Sequence, residues 1–278
     1  LEVFTGFLFI KTKLLLVNGY NDLEIQFIWR RIQMFKAIID ADILKTSIET
    51  LSVLVDEARF RISPEGITVR AVDPANVAMV SFELGSDAFD EYSADDCEIG
   101  LDLSKINDIF GVAGKEDKLS MELDEMSQKM SLHIGGLSYT LALLDPSTIR
   151  AEPRIPQLEL PTEVVLNGKD LLKAVKAAEK ISDHMLLGIE DDTFYMEAEG
   201  DTDRVRLDIT RDQLIDLKAG DARSLFSLDY LSDIVKPASR SNEVTVELGK
   251  DFPVKIGFTI ANGAGRIGYL LAPRIESD

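Results

Sequence analysis

Hydrophobic side chains recur along this chain with two periods, one near 3.6 residues and one of two, and the places where each takes over predict its elements. Ile43, Leu44, Ile48 and Leu51 stand at helical spacing, as do Leu171, Leu172, Val175 and Ala178. Each set predicts an amphipathic helix with one apolar face. Apolar and polar residues alternate instead through 58–62, 66–70 and 203–209, with Asn, Asp, Gly and Pro turn signals between them, which predicts strands and hairpins. Shorter helices are expected near 102–110 and 229–236, the later one ended by Pro237.

These elements come in the same order twice. Asp42-Ile43-Leu44-Lys45 recurs as Asp170-Leu171-Leu172-Lys173, Ile106-Asn107-Asp108-Ile109 as Leu231-Ser232-Asp233-Ile234, and Leu143-Leu144-Asp145-Pro146 as Leu270-Leu271-Ala272-Pro273, at nearly constant spacing. An internal repeat changes the architecture to be expected: two tandem, similar α+β domains, 34–146 and 162–278. Between them, 147–161 holds Pro153, Pro156 and Pro161 in a chain with only nine prolines, and reads as an extended connector. Residues 1–33 carry the single tryptophan, Trp29, and four basic against three acidic side chains, without the acidic excess of residues 34–278. The expectation is a leader or added segment outside the fold, with the natural chain opening at Met34.

Charge changes the picture next. The chain has 30 Lys and Arg against 49 Asp and Glu, a formal net charge of −19, which repels a polyanion unless the positive minority is gathered on one surface. An acidic coat also suits a salt-rich medium, where extra carboxylates keep a surface hydrated; sequence drift is the alternative. Cys97 is the only cysteine, and His133 and His184 are the only histidines. An intramolecular disulfide and a Cys/His zinc cage are thereby excluded, and a reducing compartment is expected. No stretch approaches ~18 uncharged apolar residues, so no membrane partner is expected.

The positive minority does gather in one place. Lys169, Lys173, Lys176 and Lys180 come at steps of four, three and four, which on a helix sets them within about 60° of one another with no carboxylate between them. A solvated helix face and a polyanion-facing stripe both fit. Elsewhere candidate chemistry is thin. Gly263 to Gly268 is a literal Gly-x-Gly-x-x-Gly, but a dinucleotide site needs a helix and a further strand behind it, and only ten residues remain; a hairpin turn is expected. Neither histidine has a serine–acid or cysteine partner nearby in sequence, and Asp95-Asp96 and Asp191-Asp192 read as turns. No catalytic set, metal site or cofactor is expected.

Several stretches carry a family likeness: Met34-Phe35, Gly66-Ile67-Thr68-Val69-Arg70-Ala71-Val72-Asp73 running into Val77-Ala78-Met79-Val80, Phe89-Asp90-Glu91-Tyr92, Gly100-Leu101-Asp102-Leu103 and Leu271-Ala272-Pro273-Arg274-Ile275. With the repeat and the connector, they make the chain from Met34 onward closely similar to the archaeal and eukaryotic DNA sliding clamps, the proliferating cell nuclear antigen family. The resemblance implies a homotrimeric ring, sheets outside and helices lining a hole, that encircles double-stranded DNA in the cytoplasm, at the nucleoid. A haloarchaeal member would join the acidic coat to that role.

On the same resemblance, the DNA-facing positions correspond to Lys45, Lys173, Lys176 and Lys236, with Lys169 and Lys180 extending the stripe. Ser52, Asp108 and Gly111 stand where eukaryotic clamps often have lysine. The pocket that takes short peptide motifs of DNA polymerase, clamp loader, flap endonuclease and DNA ligase corresponds to Val72, Asn76, Val77, Met79, Ile155, Pro156, Pro253, Leu270, Ala272 and Pro273. Leu270 replaces a frequent tyrosine. The trimer interface corresponds to a 139–144 strand, with Tyr139, Leu141 and Leu143, against a 203–210 strand, with Arg204 and Arg206. Two rivals stay open: a same-fold subunit of a heterotrimeric or checkpoint clamp, and a tandem-repeat enzyme.

Overall fold

The computed structural model describes residues 35–275 apart from 113, 115, 125 and 126; the 1–33 segment and Met34 lie outside the described residues. In the first repeat β1 (Phe35–Asp40) leads into α1 (Ala41–Ser52). Five strands come next: β2 (Glu57–Ser63), β3 (Gly66–Val72), β4 (Ala78–Gly85), β5 (Glu91–Ala94) and β6 (Cys97–Asp102). Then come α2 (Leu103–Phe110) and a meander of β7 (Lys118–Asp124), β8 (Lys129–Ile134) and β9 (Leu137–Ala142).

The second repeat copies that order: β10 (Thr162–Leu166), α3 (Gly168–Ala178), β11 (His184–Glu190), β12 (Thr193–Glu199), β13 (Arg204–Thr210), β14 (Asp216–Lys218), β15 (Arg223–Ser227), α4 (Leu228–Ala238), β16 (Val244–Leu248), β17 (Val254–Ile260) and β18 (Gly265–Leu271). Between the repeats a short 3-10 turn at Pro146–Thr148 precedes a stretch without helix or strand up to Pro161.

Local chemistry sets the boundaries. The side chain of Asp102 accepts a hydrogen bond from the Lys105 amide at 3.0 Å and caps α2, and Asn167 caps α3 through the Lys169 amide. Asp191 and Asp192 both take positive φ, the conformation of the two-residue turn that joins twisted antiparallel strands, here β11 and β12. The glycine-rich segment at 263–268 starts in the turn between β17 and β18 and continues from Gly265 as the first half of β18. One expectation fails in detail: α4 runs through Pro237 to Ala238 rather than stopping before it. A proline in the last turn forgoes one amide hydrogen bond, and little helix remains beyond it to disrupt.

Three sheets result. A five-stranded sheet (β5-β1-β7-β8-β9) belongs to the first repeat and a four-stranded one (β13-β12-β11-β15) to the second. The third, nine strands wide, runs β14-β10-β16-β17-β18-β4-β3-β2-β6 across both. Its joint is the antiparallel pair β18·β4, in register from Gly265 opposite Leu84 to Leu271 opposite Ala78. The four helices pack side by side in the order α2, α1, α4, α3 on one face of these sheets. Tyr269, at 1% exposure, reaches from the inner face of β18 to the Thr50 carbonyl of α1 at 2.8 Å.

The repeat is real in space, but two of its three letter matches are out of step. Buried positions pair Leu44 with Leu171 and Ile48 with Val175, one residue from the match of Leu44 with Leu172. Leu172 is accordingly only partly buried. After the last strand of each repeat, Leu144 bridges Gly100 and Arg274 bridges Leu225, so Leu144 corresponds to Arg274 and not to Leu271. Short leucine-rich strings match at several offsets, and only pairing partners decide which one is structural.

Candidate functional site

Strand alternation builds the first site. Along the joint, Ala78, Val80, Tyr269 and Leu271 point into the core and are buried, which turns Met79 and Leu270 to the outer face, opposite the helices. There they help line a cavity of about 350 Å³ with Val72, Asn76, Val77, Pro253, Ala272, Arg150 and Pro153. A second cavity of about 290 Å³ lies beneath the connector, lined in part by Ile155, Pro156, Leu158 and Leu160, and shares Met79 and Leu270 with the first. The ten expected residues therefore divide. Seven gather at one cavity, Ile155 and Pro156 belong to its neighbour, and Pro273 lines neither. Arg150 and Pro153 were missed: the prolines marked the connector, but nothing in the sequence shows where it runs.

The wall of the first cavity is held by a buried carboxylate. Asp73, 2% exposed, accepts hydrogen bonds from the amides of Ala75, Val77 and Ala78 at 2.7–2.9 Å and from the Tyr230 hydroxyl at 2.8 Å. Burial pushes its pKa up, but the bonds from Ala78, Tyr230, Ala75 and Val77 outweigh that and hold it below the usual carboxylate value. Because Tyr230 sits on α4, one side chain fixes the β3–β4 loop and ties the two domains together. Arg150 closes the same loop from the connector: its guanidinium donates to the Asp73 carbonyl at 2.9 Å and to the side-chain oxygen of Asn76, which holds a φ of 60°.

The second site is the helical face. Lys169, Lys173, Lys176 and Lys180 are all exposed around one shallow groove of α3, with Leu172, Ala177 and Glu179. Glu179 joins the groove at the flank of the lysine stripe: its backbone is still helical, with its amide bound to the Val175 carbonyl at 3.0 Å, so it follows the turn of α3 about 60° from Lys176. Among the described residues none of these four lysines makes an ion pair, and neither does half-buried Lys45 on α1. Lys236 differs, since it is bound to Asp233 at 2.9 Å, which raises its pKa. On α2 Lys105 is likewise paired with Asp102. Uncompensated positive charge is thus concentrated on α3.

The third feature is a pair of unpaired strand edges, β9 on the five-stranded sheet and β13 on the four-stranded one. The expected strand at 139–144 is Leu137–Ala142, so Tyr139 and Leu141 lie on it and Leu143 one residue beyond, its amide bound to the Gln128 carbonyl. Arg204 and Arg206 are on β13, but both side chains are committed to their own sheet: Arg204 to Glu197, Arg206 to Glu190 and Asp208 and over the Tyr195 ring. The apolar residues left half-covered at that edge are Val205 and Leu207. Their alternation with the arginines was visible in the sequence and marks them as the inward-facing pair.

Two family descriptions match this chain, the N-terminal domain of proliferating cell nuclear antigen over residues 34–137 and its C-terminal domain over 154–274. A DNA polymerase sliding clamp of Methanococcoides burtonii is 76% identical over 245 residues, 88% of this chain and 100% of that one. The corresponding clamp of Natronomonas pharaonis is 51% identical over 88% of this chain and all of its own length. Among solved structures, A. fulgidus PCNA bound to the C-terminal region of FEN-1 superimposes with a TM-score of 0.84 at 39% identity, covering 88% of this chain and 100% of that one. Two tandem domains joined through one sheet, helices on one face and an apolar cavity on the other, define a DNA sliding clamp. The chain belongs to the proliferating cell nuclear antigen family.

Proposed function

We propose that this clamp closes as a homotrimeric ring around duplex DNA, holds it by encirclement, and is not an enzyme. One observation carries the reading. Of the sheet edges among the described residues, β9 and β13 are the repeat equivalents of β18 and β4, the strands that join the two domains inside the chain. A surface carrying both halves of one joint assembles head to tail, and such heterologous contacts are finite when the rotation closes. Carrying the β18·β4 register across sets Leu137 opposite Leu207 and Tyr139 opposite Val205 in neighbouring subunits. Both halves lie on one chain, so copies of it alone can close the ring; a subunit of a heterotrimeric or checkpoint clamp is the second reading. Light scattering separates the two readings: trimers of the single chain support the first, and monomers that assemble only with other subunits support the second.

In such a ring the helical face turns to the hole. The lysines of α3, with Lys45 and Lys236, then meet phosphates without reading bases. The outer cavities take short apolar and aromatic motifs of a DNA polymerase, clamp loader, flap endonuclease and ligase, a reading supported by the FEN-1 segment bound to A. fulgidus PCNA. The clamp works in the cytoplasm, at the nucleoid. Its net charge of −19 supports a salt-rich, halophilic setting, because encirclement survives where a screening length of ~3 Å in ~1 M salt removes long-range attraction.

The test is topological. Protein loaded on a nicked circle is retained, and cutting that circle with a restriction enzyme releases it; equal retention on circle and line overturns encirclement. Lys173→Glu combined with Lys176→Glu slows loading and leaves the affinity for partner peptides unchanged.

A further inference from the structure

The proposed partner cavity is apolar apart from Asn76 and one charge, Arg150. Among the described residues that charge makes no ion pair, although it stands at an apolar wall. Its guanidinium bonds only neutral acceptors, the Asp73 carbonyl and the Asn76 side-chain oxygen. Two carboxylates close to it in sequence or in space are already committed. Glu152, two residues along the connector, pairs with Arg61 at 3.0 Å, and the Asp73 carboxylate is occupied by three amides and Tyr230. Two hydrogen bonds leave donors of the five-donor guanidinium unused at the cavity wall. Arg59 and Arg61 on β2 show the contrast: both pair with Glu98, whereas Arg150 meets no carboxylate.

We infer that Arg150 is a specificity-determining residue that selects, among peptides with apolar or aromatic anchors, those presenting a carboxylate beside the anchor. The inference rests on the partner-pocket reading above. The physics is that of a fixed cation at the rim of an apolar site. The anchor drives association by burial, and a carboxylate that reaches a pre-positioned guanidinium adds a charge-assisted hydrogen bond without ordering a long side chain first. An acidic side chain and a C-terminal carboxylate supply the same group, and a peptide series tells them apart.

The experiment measures binding of the intact protein to three fluorescent peptides that share a glutamine, an aliphatic residue and two adjacent aromatics. One has Asp next to the aromatic pair and an amidated end, one has Asn there and an amidated end, and one has Asn and a free carboxylate following the aromatics. Wild type is expected to prefer at least one carboxylate peptide over the neutral one by about three- to tenfold at low salt, with the preference shrinking as salt rises. The peptide preferred identifies the source. Arg150→Gln is expected to have lost the preference, so that its affinities for the three peptides converge. Equal binding of all three by wild type overturns the inference and leaves the pocket reading standing; so does a preference that survives in Arg150→Gln, or an equal loss of all three peptides, which makes Arg150 a brace of the Asn76 loop. If wild type binds none, the pocket reading falls, and the inference with it.

Discussion

The chain makes the same joint twice, once closed and once open. Inside it, Ile267 and Tyr269 of β18 face Phe82 and Val80 of β4, and all four are buried to 3% exposure or less. Their repeat equivalents are Leu137 and Tyr139 on β9 and Leu207 and Val205 on β13. None of these is fully buried, and Leu137 is 47% exposed. The alternation of apolar and polar residues is alike in both places, so pattern does not set them apart. What differs is whether the complementary strand belongs to the same chain. A closed joint contributes to the stability of the monomer, whereas an open one is an exposed edge that invites pairing and contributes only on assembly.

The largest effect expected from breaking this comparison is on the closed side. Tyr269→Ala removes a buried ring and its bond to Thr50, and should cost the monomer ~3–5 kcal/mol, read as a fall in the denaturation midpoint. On the open side, Val205→Asp with Leu207→Asp should leave the monomer's midpoint nearly unchanged while weakening assembly by ~2–4 kcal/mol, about 30- to 1,000-fold in dissociation constant. Sedimentation at graded protein concentration checks it, and a monomer destabilised as much as by Tyr269→Ala would erase the distinction between the two joints.

Smaller effects sharpen it. Tyr230→Phe removes the hydroxyl that bridges the domains through Asp73 and should cost ~1 kcal/mol at neutral pH. Because the folded pKa of Asp73 lies below its unfolded value, its contribution is complete above the ordinary carboxylate pKa and is lost as pH falls through the folded one. Losing the Tyr230 bond raises that folded pKa toward the unfolded one, so the variant should lose less stability than wild type on acidification and its deficit should shrink as pH falls; a deficit that stays constant with pH would remove Asp73 from the account. Smallest is Arg204→Ala, expected to leave the monomer's denaturation midpoint nearly unchanged, since the exposed guanidinium is screened by solvent in its pair with Glu197.

Much of this was legible in the sequence, and the failures share a cause. Helical spacing found α1 and α3, alternation found β2, β3 and β13, and the lysine steps found the groove on α3. Each is a property of neighbours along the chain. The slips came where a distant partner decides: Leu44 corresponds to Leu171 because of what each packs against, and Pro273 stays out of a cavity that Leu270 and Ala272 line. Arg150 had no sequence signal, because its two hydrogen bonds reach the β3–β4 loop across 77 and 74 positions of chain.

By itself, then, the order of residues determined the duplicated α+β module, the period and facing of its elements, the acidic coat and the one basic helix face, since all of these depend only on spacing and composition. The tertiary structure alone decided which strands found partners within the chain and which edges stayed open, and that a single uncompensated arginine stands at the apolar cavity. Alternation says which side of a strand faces inward, but not which strand lies beside it.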